Sequence, residues 1–249
     1  MIYTVLTNRA MQIAYEAHAG QVDKCGTPYV FHPYHLAEQM DDEVTTCVAL
    51  LHDVVEDTEV TVGDLSAEFP PEVTEPLRLL THDPAVPYLD YISKLAENPV
   101  ALAVKLADLT HNMDETRYAG AAQPDPADLA RRREKYVAAK RALSLAKIRG
   151  IIAERPGTDD ECYEDVDRCW AELGAALTED YETTEKFLLE DCTADEFAWV
   201  SEVYEEIFEN AREMRYANLL RRAVKRFPEE EETLRIQKIL DWVISMYFD

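Results

Sequence analysis

The stretch "ALLHDVVEDT", residues 49–58, constrains this chain more than any other. It begins as an apolar run suited to a buried helix, then sets His52, Asp53, Glu56 and Asp57 around Val54–Val55. A buried carboxylate without a partner costs on the order of several kcal/mol, and a cluster of them beside an imidazole costs more. Any fold must therefore put a neutralising partner next to these side chains. With a helix over residues 42–55 continuing into the motif, His52 lies above Glu56 and Asp53 above Asp57, because positions four apart share a face. A divalent cation meets the need, since it neutralises carboxylates and accepts an imidazole nitrogen.

Two other segments carry matching ligands. His32 sits in "YVFHP", where the prolines of the flanking loop can hold an imidazole rigidly, and Asp108 sits in the apolar stretch "AVKLADLTHNMD". His32, His52, Asp53 and Asp108 together offer two nitrogens and two carboxylates and leave positions for water. Such a set suits one manganese or iron ion, with zinc as the alternative. A second dipeptide, His82–Asp83, has no such company and reads as structural. His18 and His111 flank the motifs and read as packing residues or as groups that orient the ligands.

The composition favours helices. The chain has only seven glycines in 249 residues, and hydrophobic residues at 47% are ample for a core. Helical spacing is expected over residues 4–18, with Thr4 or Thr7 as N-cap, and again from about Pro33 and over 42–55. Two short helices flank Pro70–Pro71, two more follow, and a basic helix runs from about Pro126 to Arg149. The segment "RGIIAERPGTDDE" breaks the period and is taken as a boundary. The expectation is an all-α protein: a helical unit over residues 1–150, then an acidic helical region over 151–249. Trp170, Trp199 and Trp242 recur at helical spacing and are assigned to the core.

No apolar run reaches the roughly 18 residues a bilayer span needs, and the start lacks a signal peptide's apolar block. A cytoplasmic protein is expected. Five scattered cysteines fit reduced thiols, and Cys162 and Cys169, about 10 Å apart on one helix, are too distant for a disulfide. A net charge of −25 argues against nucleic-acid and anionic-membrane partners. The basic run "RRREKYVAAKR" at 131–141 reads first as a solvated helix face, docked on acidic neighbours or free, with substrate contact as the alternative.

The blocks "AHAGQVDKCGTPYVFHP", "ALLHDVVEDT" and "VKLADLTHNMDETR" occur in order over residues 1–147. Together they resemble the HD-domain hydrolases of the RelA/SpoT alarmone family, particularly its small stand-alone members. The resemblance implies an HD-type helical bundle, one manganese ion, and removal of the 3′-pyrophosphate from ppGpp or pppGpp. By matched positions, His32, His52, Asp53 and Asp108 are the implied metal ligands, and Glu56 and Asp57 the acidic pair that handles water and protons. Lys24 falls in the loop that flanks the purine, and Asn112 in the segment that contacts the nucleotide. Lys105, with Lys24, is expected to offset substrate charge.

The chain departs from the family pattern at three places. Asp23 stands where arginine precedes the loop lysine, Leu109 where arginine follows the last metal aspartate, and Glu115 where threonine is usual. Two rival readings follow: an HD phosphohydrolase for another nucleotide phosphate, and a metal-stabilised binding module without catalysis. Residues 151–249 carry no synthetase motif. They are expected to pack or to mediate a homo-oligomer through their helices.

Overall fold

The structure is a computed structural model that describes residues 1–119, 124–155 and 163–248. Among these residues it is all-helical, the sole β feature being an isolated bridge between Val22 and Pro28. The chain divides into two compact units, Met1–Leu143 and Ser144–Asp249.

In the first unit, α1 (Val5–Ala17) starts in a capping box. Thr4 Oγ1 accepts from the Thr7 amide at 3.2 Å, and Thr7 Oγ1 accepts from the Thr4 amide at 2.8 Å. Next come α2 (Phe31–Ala37), α3 (Glu43–Leu51), α4 (Val54–Asp57), α5 (Val62–Leu65), α6 (Pro71–Leu80), α7 (Tyr88–Leu95) and α8 (Pro99–Met113). Helix α9 (Pro126–Glu154) follows, and the division between the units falls within it.

Helix α3 is the hub, packing against α1, α2, α6 and α8. Its residues are buried continuously from Thr45 to Leu51, as expected of a helix that is apolar all round. Each fully buried leucine there contributes roughly 1.5–3 kcal/mol relative to exposure. The Asp42 carboxylate caps its start, accepting from the Thr45 amide at 2.9 Å. The motif thus emerges at the C-terminal end of the most buried helix, where the macrodipole places partial negative charge and favours a cation.

Two expected helix bounds are corrected. The helix over 42–55 is not continuous: it stops at Leu51, turns at His52–Asp53 and resumes as the short α4. Asp53 has φ −92° and ψ −9°, enough to break the ladder and turn the face along which the motif was expected to align. The second helix starts at Phe31 and places Pro33 in its first turn, as expected. The basic helix runs past Gly150 to Glu154, since a single glycine weakens a helix by only about 1 kcal/mol. Pro156, Gly157 and Cys162 lie outside the described residues.

The second unit contains α10 (Tyr163–Glu179), α11 (Tyr181–Lys186), α12 (Ala194–Ser201), α13 (Tyr204–Asn210), α14 (Met214–Val224), α15 (Pro228–Leu234) and α16 (Ile236–Phe248). Phe187, Phe197, Tyr204, Phe208 and Tyr216 fill its core. Gly174 on α10 is required by close approach, because a Cβ there would lie 2.4 Å from Glu206 Cβ on α13. Trp242 is 58% exposed on α16, so its assignment to the core is wrong: Ile236, Leu240, Val243 and Ile244 form the inward stripe instead. Cys25, Cys47, Cys169 and Cys192 are free thiols.

Candidate active site

The turn at His52–Asp53 brings two ligands together beside α2. His52 Nδ1 lies 2.8 Å from the Ala49 carbonyl and donates to it, which fixes the tautomer and leaves Nε2 with a lone pair. That Nε2 is buried and has no hydrogen-bond partner, and it lies 3.1 Å from Asp53 Oδ2. His32 Nε2 lies 3.4 Å from the same oxygen and 3.3 Å from Asp108 Oδ1. Ligand atoms of His32, His52 and Asp53 fall within 4.8 Å of one another. Asp108 joins this group through His32 and stands just outside the tightest set.

These donors fit a divalent ion: an orphaned imidazole lone pair and the half-buried Asp53 carboxylate face one another, with the buried Asp108 carboxylate adjoining through His32. The groups behind them are built as supports. Tyr29 donates to Asp53 Oδ2 at 2.6 Å. Lys105, Asp108 and Asn112 share a face of α8 at spacings of three and four. Lys105 Nζ holds Asp108 Oδ2 at 2.7 Å, while Asn112 donates to Oδ1. The His32 ring stacks on His111, their Nδ1 atoms 2.6 Å apart.

The electrostatics follow from this packing. Burial opposes charge on His32, but Asp108 and Asp53 outweigh it and carry the imidazolium up to about 9. Burial, with the His32 and Arg117 charges, pulls His111 down to about 4 and keeps it a neutral acceptor for the His32 Nδ1 proton. Burial works against the Asp108 carboxylate too, yet Lys105 and His32 hold it well below the usual range. Glu56 and Asp57 go the other way: burial, reinforced by Asp53, raises both. Two carboxyls raised above their ordinary values therefore stand beside Asp108, which is held below its own.

His32, Asp53 and Asp108 open onto a cavity of about 430 Å³ that Glu56, Asp57 and Asn112 also line. Its cations are Lys24, Lys105, Arg117, Arg132 and Lys135. Lys105 is committed to Asp108, and Arg117 to Asp23 at 2.7 Å. Lys24, Arg132 and Lys135 have no carboxylate partner among the described residues. Burial lowers the Lys24 ammonium, and the charges of Arg132, Arg117 and Lys135 lower it further.

The HD-domain family profile matches residues 10–81, which include His32, His52, Asp53, Glu56 and Asp57. That segment is similar to HD domains. The chain is 37% identical over 123 residues to a GTP pyrophosphokinase of Streptomyces coelicolor, covering 44% of this chain and 14% of that protein. It is 35% identical over 132 residues to the bifunctional (p)ppGpp synthase/hydrolase SpoT of Escherichia coli K12, covering 47% and 18%. The chain therefore spans less than a fifth of the length of these relatives. A solved structure described as a metazoan orthologue of SpoT that hydrolyses ppGpp aligns with 68% of this chain and 96% of its own, at 24% identity and a TM-score of 0.49.

Around this segment, several groups lay beyond the sequence reading. His82 reads as structural, yet it lines the cavity, packs its ring on Tyr91 at 4.7 Å and offers its amide to Glu56 at 3.4 Å. The basic run at 131–141 is not solely a solvated face, since Arg132, Lys135 and Tyr136 form cavity wall and Lys135 Nζ stands 3.7 Å over the Tyr88 ring. The tyrosines interleaved with those cations were the available signal. Leu109 is buried, and Glu115 lies 3.8 Å from Arg133.

Proposed function

We propose that this chain is a metal-dependent phosphohydrolase that releases pyrophosphate from the 3′ position of guanosine 3′,5′-bis(diphosphate) or its pentaphosphate counterpart. The observation that carries the reading is the orphaned lone pair of His52 Nε2, converging with His32 and Asp53 beside a cavity that holds unpaired cations. In a protein of net charge −25, gathering Lys24, Arg132 and Lys135 in one hollow makes sense for a polyanionic ligand. The relatives named for synthesis and hydrolysis of (p)ppGpp support the choice of nucleotide.

In this reading His32, His52, Asp53 and Asp108 hold one ion, manganese first, with iron or zinc as substitutes. Such an ion lowers the pKa of a water molecule from about 15.7 towards about 7 and offsets charge on the phosphorus. The chain's own groups do the remainder. A water oxygen bonds to the phosphorus attached to O3′ while the P–O3′ bond breaks, leaving the 5′-diphosphate and free pyrophosphate. Of Glu56 and Asp57, one takes the water's proton and the other returns a proton to O3′, as their raised pKa values suit. Lys24, Arg132 and Lys135 bind the phosphates, and Asn112 and Lys105 keep Asp108 in place.

The departures at Asp23, Leu109 and Glu115 favour a second reading, hydrolysis of a different nucleotide phosphate, because they change residues where the resembled family carries arginine or threonine. One panel separates the readings. The purified chain with manganese is incubated with guanosine and adenosine tetraphosphates and with common nucleotides, then again with chelator. Metal-dependent pyrophosphate release from the guanosine compound supports the first, and phosphate release from other nucleotides supports the second. Silence across the panel overturns both and leaves a binding module.

The free thiols suit a reducing cytoplasm. Among the described residues no helix is long and apolar enough to cross a membrane. Self-association through the second unit belongs to the same proposal, supported by exposed Ile239, Trp242 and Met246 at spacings of three and four on α16. Sedimentation of the whole chain tests it, and a monomer at all concentrations overturns it.

A further inference from the structure

Asp23 and Arg117 lie 94 positions apart and form, among the described residues, an ion pair on the cavity wall that involves no candidate metal ligand. Asp23 is fully used. Its Oδ1 accepts from the amides of Cys25 at 2.8 Å and Thr27 at 2.9 Å, and its Oδ2 accepts from Arg117 Nη2 at 2.7 Å. The turn that carries it is closed by the Asp23 amide on the Thr27 carbonyl at 2.8 Å and by Gly26 at φ +80°, a conformation that favours glycine. Asp23 therefore has little left to offer a ligand, and its evident role is to hold Arg117.

Arg117 is pinned from a second side as well, its Nη1 donating to the His111 carbonyl at 3.2 Å. Two nitrogens of a planar guanidinium are thereby fixed, and further N–H donors of the five remain on a side chain that lines the cavity. With Asp23 the pair is close to neutral, so it contributes directed donors without net attraction for an anion. Lys24, Arg132 and Lys135 differ, being cations without carboxylate partners. The cavity wall thus carries cations without carboxylate partners in one set of residues and a neutralised, directed guanidinium in another.

We infer that Arg117, positioned by Asp23, reads the purine of the ligand and selects guanine over adenine. Guanine offers two acceptors, O6 and N7, on one edge, which arginine can engage with two N–H groups, whereas adenine replaces O6 with an N6 donor. This inference rests on the proposed reading of the ligand as a purine nucleotide that bears phosphates at two positions. It adds a residue, Arg117, and a positioning residue, Asp23, to which that reading gives no part.

The test is a binding measurement, so that it does not depend on turnover. Guanosine 3′,5′-bis(diphosphate) and its adenosine counterpart are titrated into Glu56→Gln protein, alone and combined with Arg117→Ala, Arg117→Gln or Asp23→Asn. The expected result is a guanosine preference that falls by about tenfold or more in both Arg117 variants and by less in Asp23→Asn. The loss should lie in the guanosine affinity, while the adenosine affinity stays within about twofold. A merely structural role for the pair would weaken both nucleotides alike and leave the ratio unmoved, which overturns the inference. Equal affinity for the two nucleotides without any Arg117 change overturns it too. Binding of neither overturns it together with the functional reading. A preserved preference in a protein that never releases pyrophosphate removes the hydrolytic reading and leaves the role of Arg117 standing.

Discussion

The Tyr29 hydroxyl donates to Asp53 Oδ2 across 2.6 Å, tying the loop before α2 to the turn after α3. The same oxygen faces both His32 and His52, so the phenol fixes the carboxylate at the centre of the candidate metal set. Tyr29→Phe is expected to keep the fold and weaken manganese binding by about 10–100-fold, as loss of an outer hydrogen bond to a ligand generally does. Titration calorimetry measures this, and an unchanged affinity would reduce Tyr29 to a packing residue.

Metal removal should register in stability. An ion that binds only the folded protein adds about 2.7 kcal/mol at one hundred times its dissociation constant. Melting followed by calorimetry should therefore shift downwards with chelator, and His52→Ala should abolish the shift. A melting profile indifferent to manganese in the unmodified chain contradicts the assignment of the ligands.

Glu56→Gln keeps the shape of the side chain but cannot carry a proton. Turnover is expected to fall by about 10²–10⁴-fold while elemental analysis still finds one ion per chain. Retained activity would hand proton transfer to Asp57 alone.

In the second unit, Glu196 closes the capping box of α12. It accepts from the Thr193 amide at 2.8 Å and from Arg149 Nε at 2.8 Å. Partial burial acts to raise its carboxyl, but the Thr193 amide and Arg149 outweigh that and leave it below its ordinary value. The sign follows: a group depressed on folding stabilises above its unfolded pKa, and the contribution disappears as pH falls through the folded value. Glu196→Gln should thus be less stable than the parent at pH 7, with the gap closing below about pH 4. Denaturant titrations at pH 7 and pH 3.5 decide it, and a gap of constant size would show that the charge is irrelevant.

Gly174→Ala puts a methyl group 2.4 Å from Glu206 Cβ and 3.1 Å from the Glu206 carbonyl carbon. Overpacking of this kind costs roughly 1–3 kcal/mol. In dilute, monomeric protein Trp242→Gln, on the exposed face of α16, should stay within about 0.5 kcal/mol of the parent. Urea midpoints of the two variants compare them directly, and the opposite order would mean that Trp242 is covered in solution.

The helical character was legible because it rests on spacing. Thr4 could be read from cap chemistry that acts over three or four residues, and the break at Pro70–Pro71 from the prolines themselves. The candidate ligands could be read because charge is out of place in apolar runs. The turn at His52–Asp53 could not, since neither glycine nor proline marks it and both residues stay in the right-handed region. Tyr29 carried no anomaly in sequence, a tyrosine in a loop being ordinary. Asp23 stood out as a misplaced charge, but its partner was hidden by 94 positions of intervening chain. The basic face of α9 misled because periodicity says which side of a helix is polar and not what that side meets.

The unpaired ammonium and guanidinium groups of the hollow sit inside a molecule whose outer field is strongly negative. Counter-ions at 0.15 M confine every exposed field to about 8 Å, so an approaching nucleotide is repelled until it is nearly at the mouth and attracted only once inside. Capture by such a molecule should quicken on moving from very dilute buffer to moderate ionic strength, as the outer repulsion fades, and slacken only when the interior charges are themselves screened.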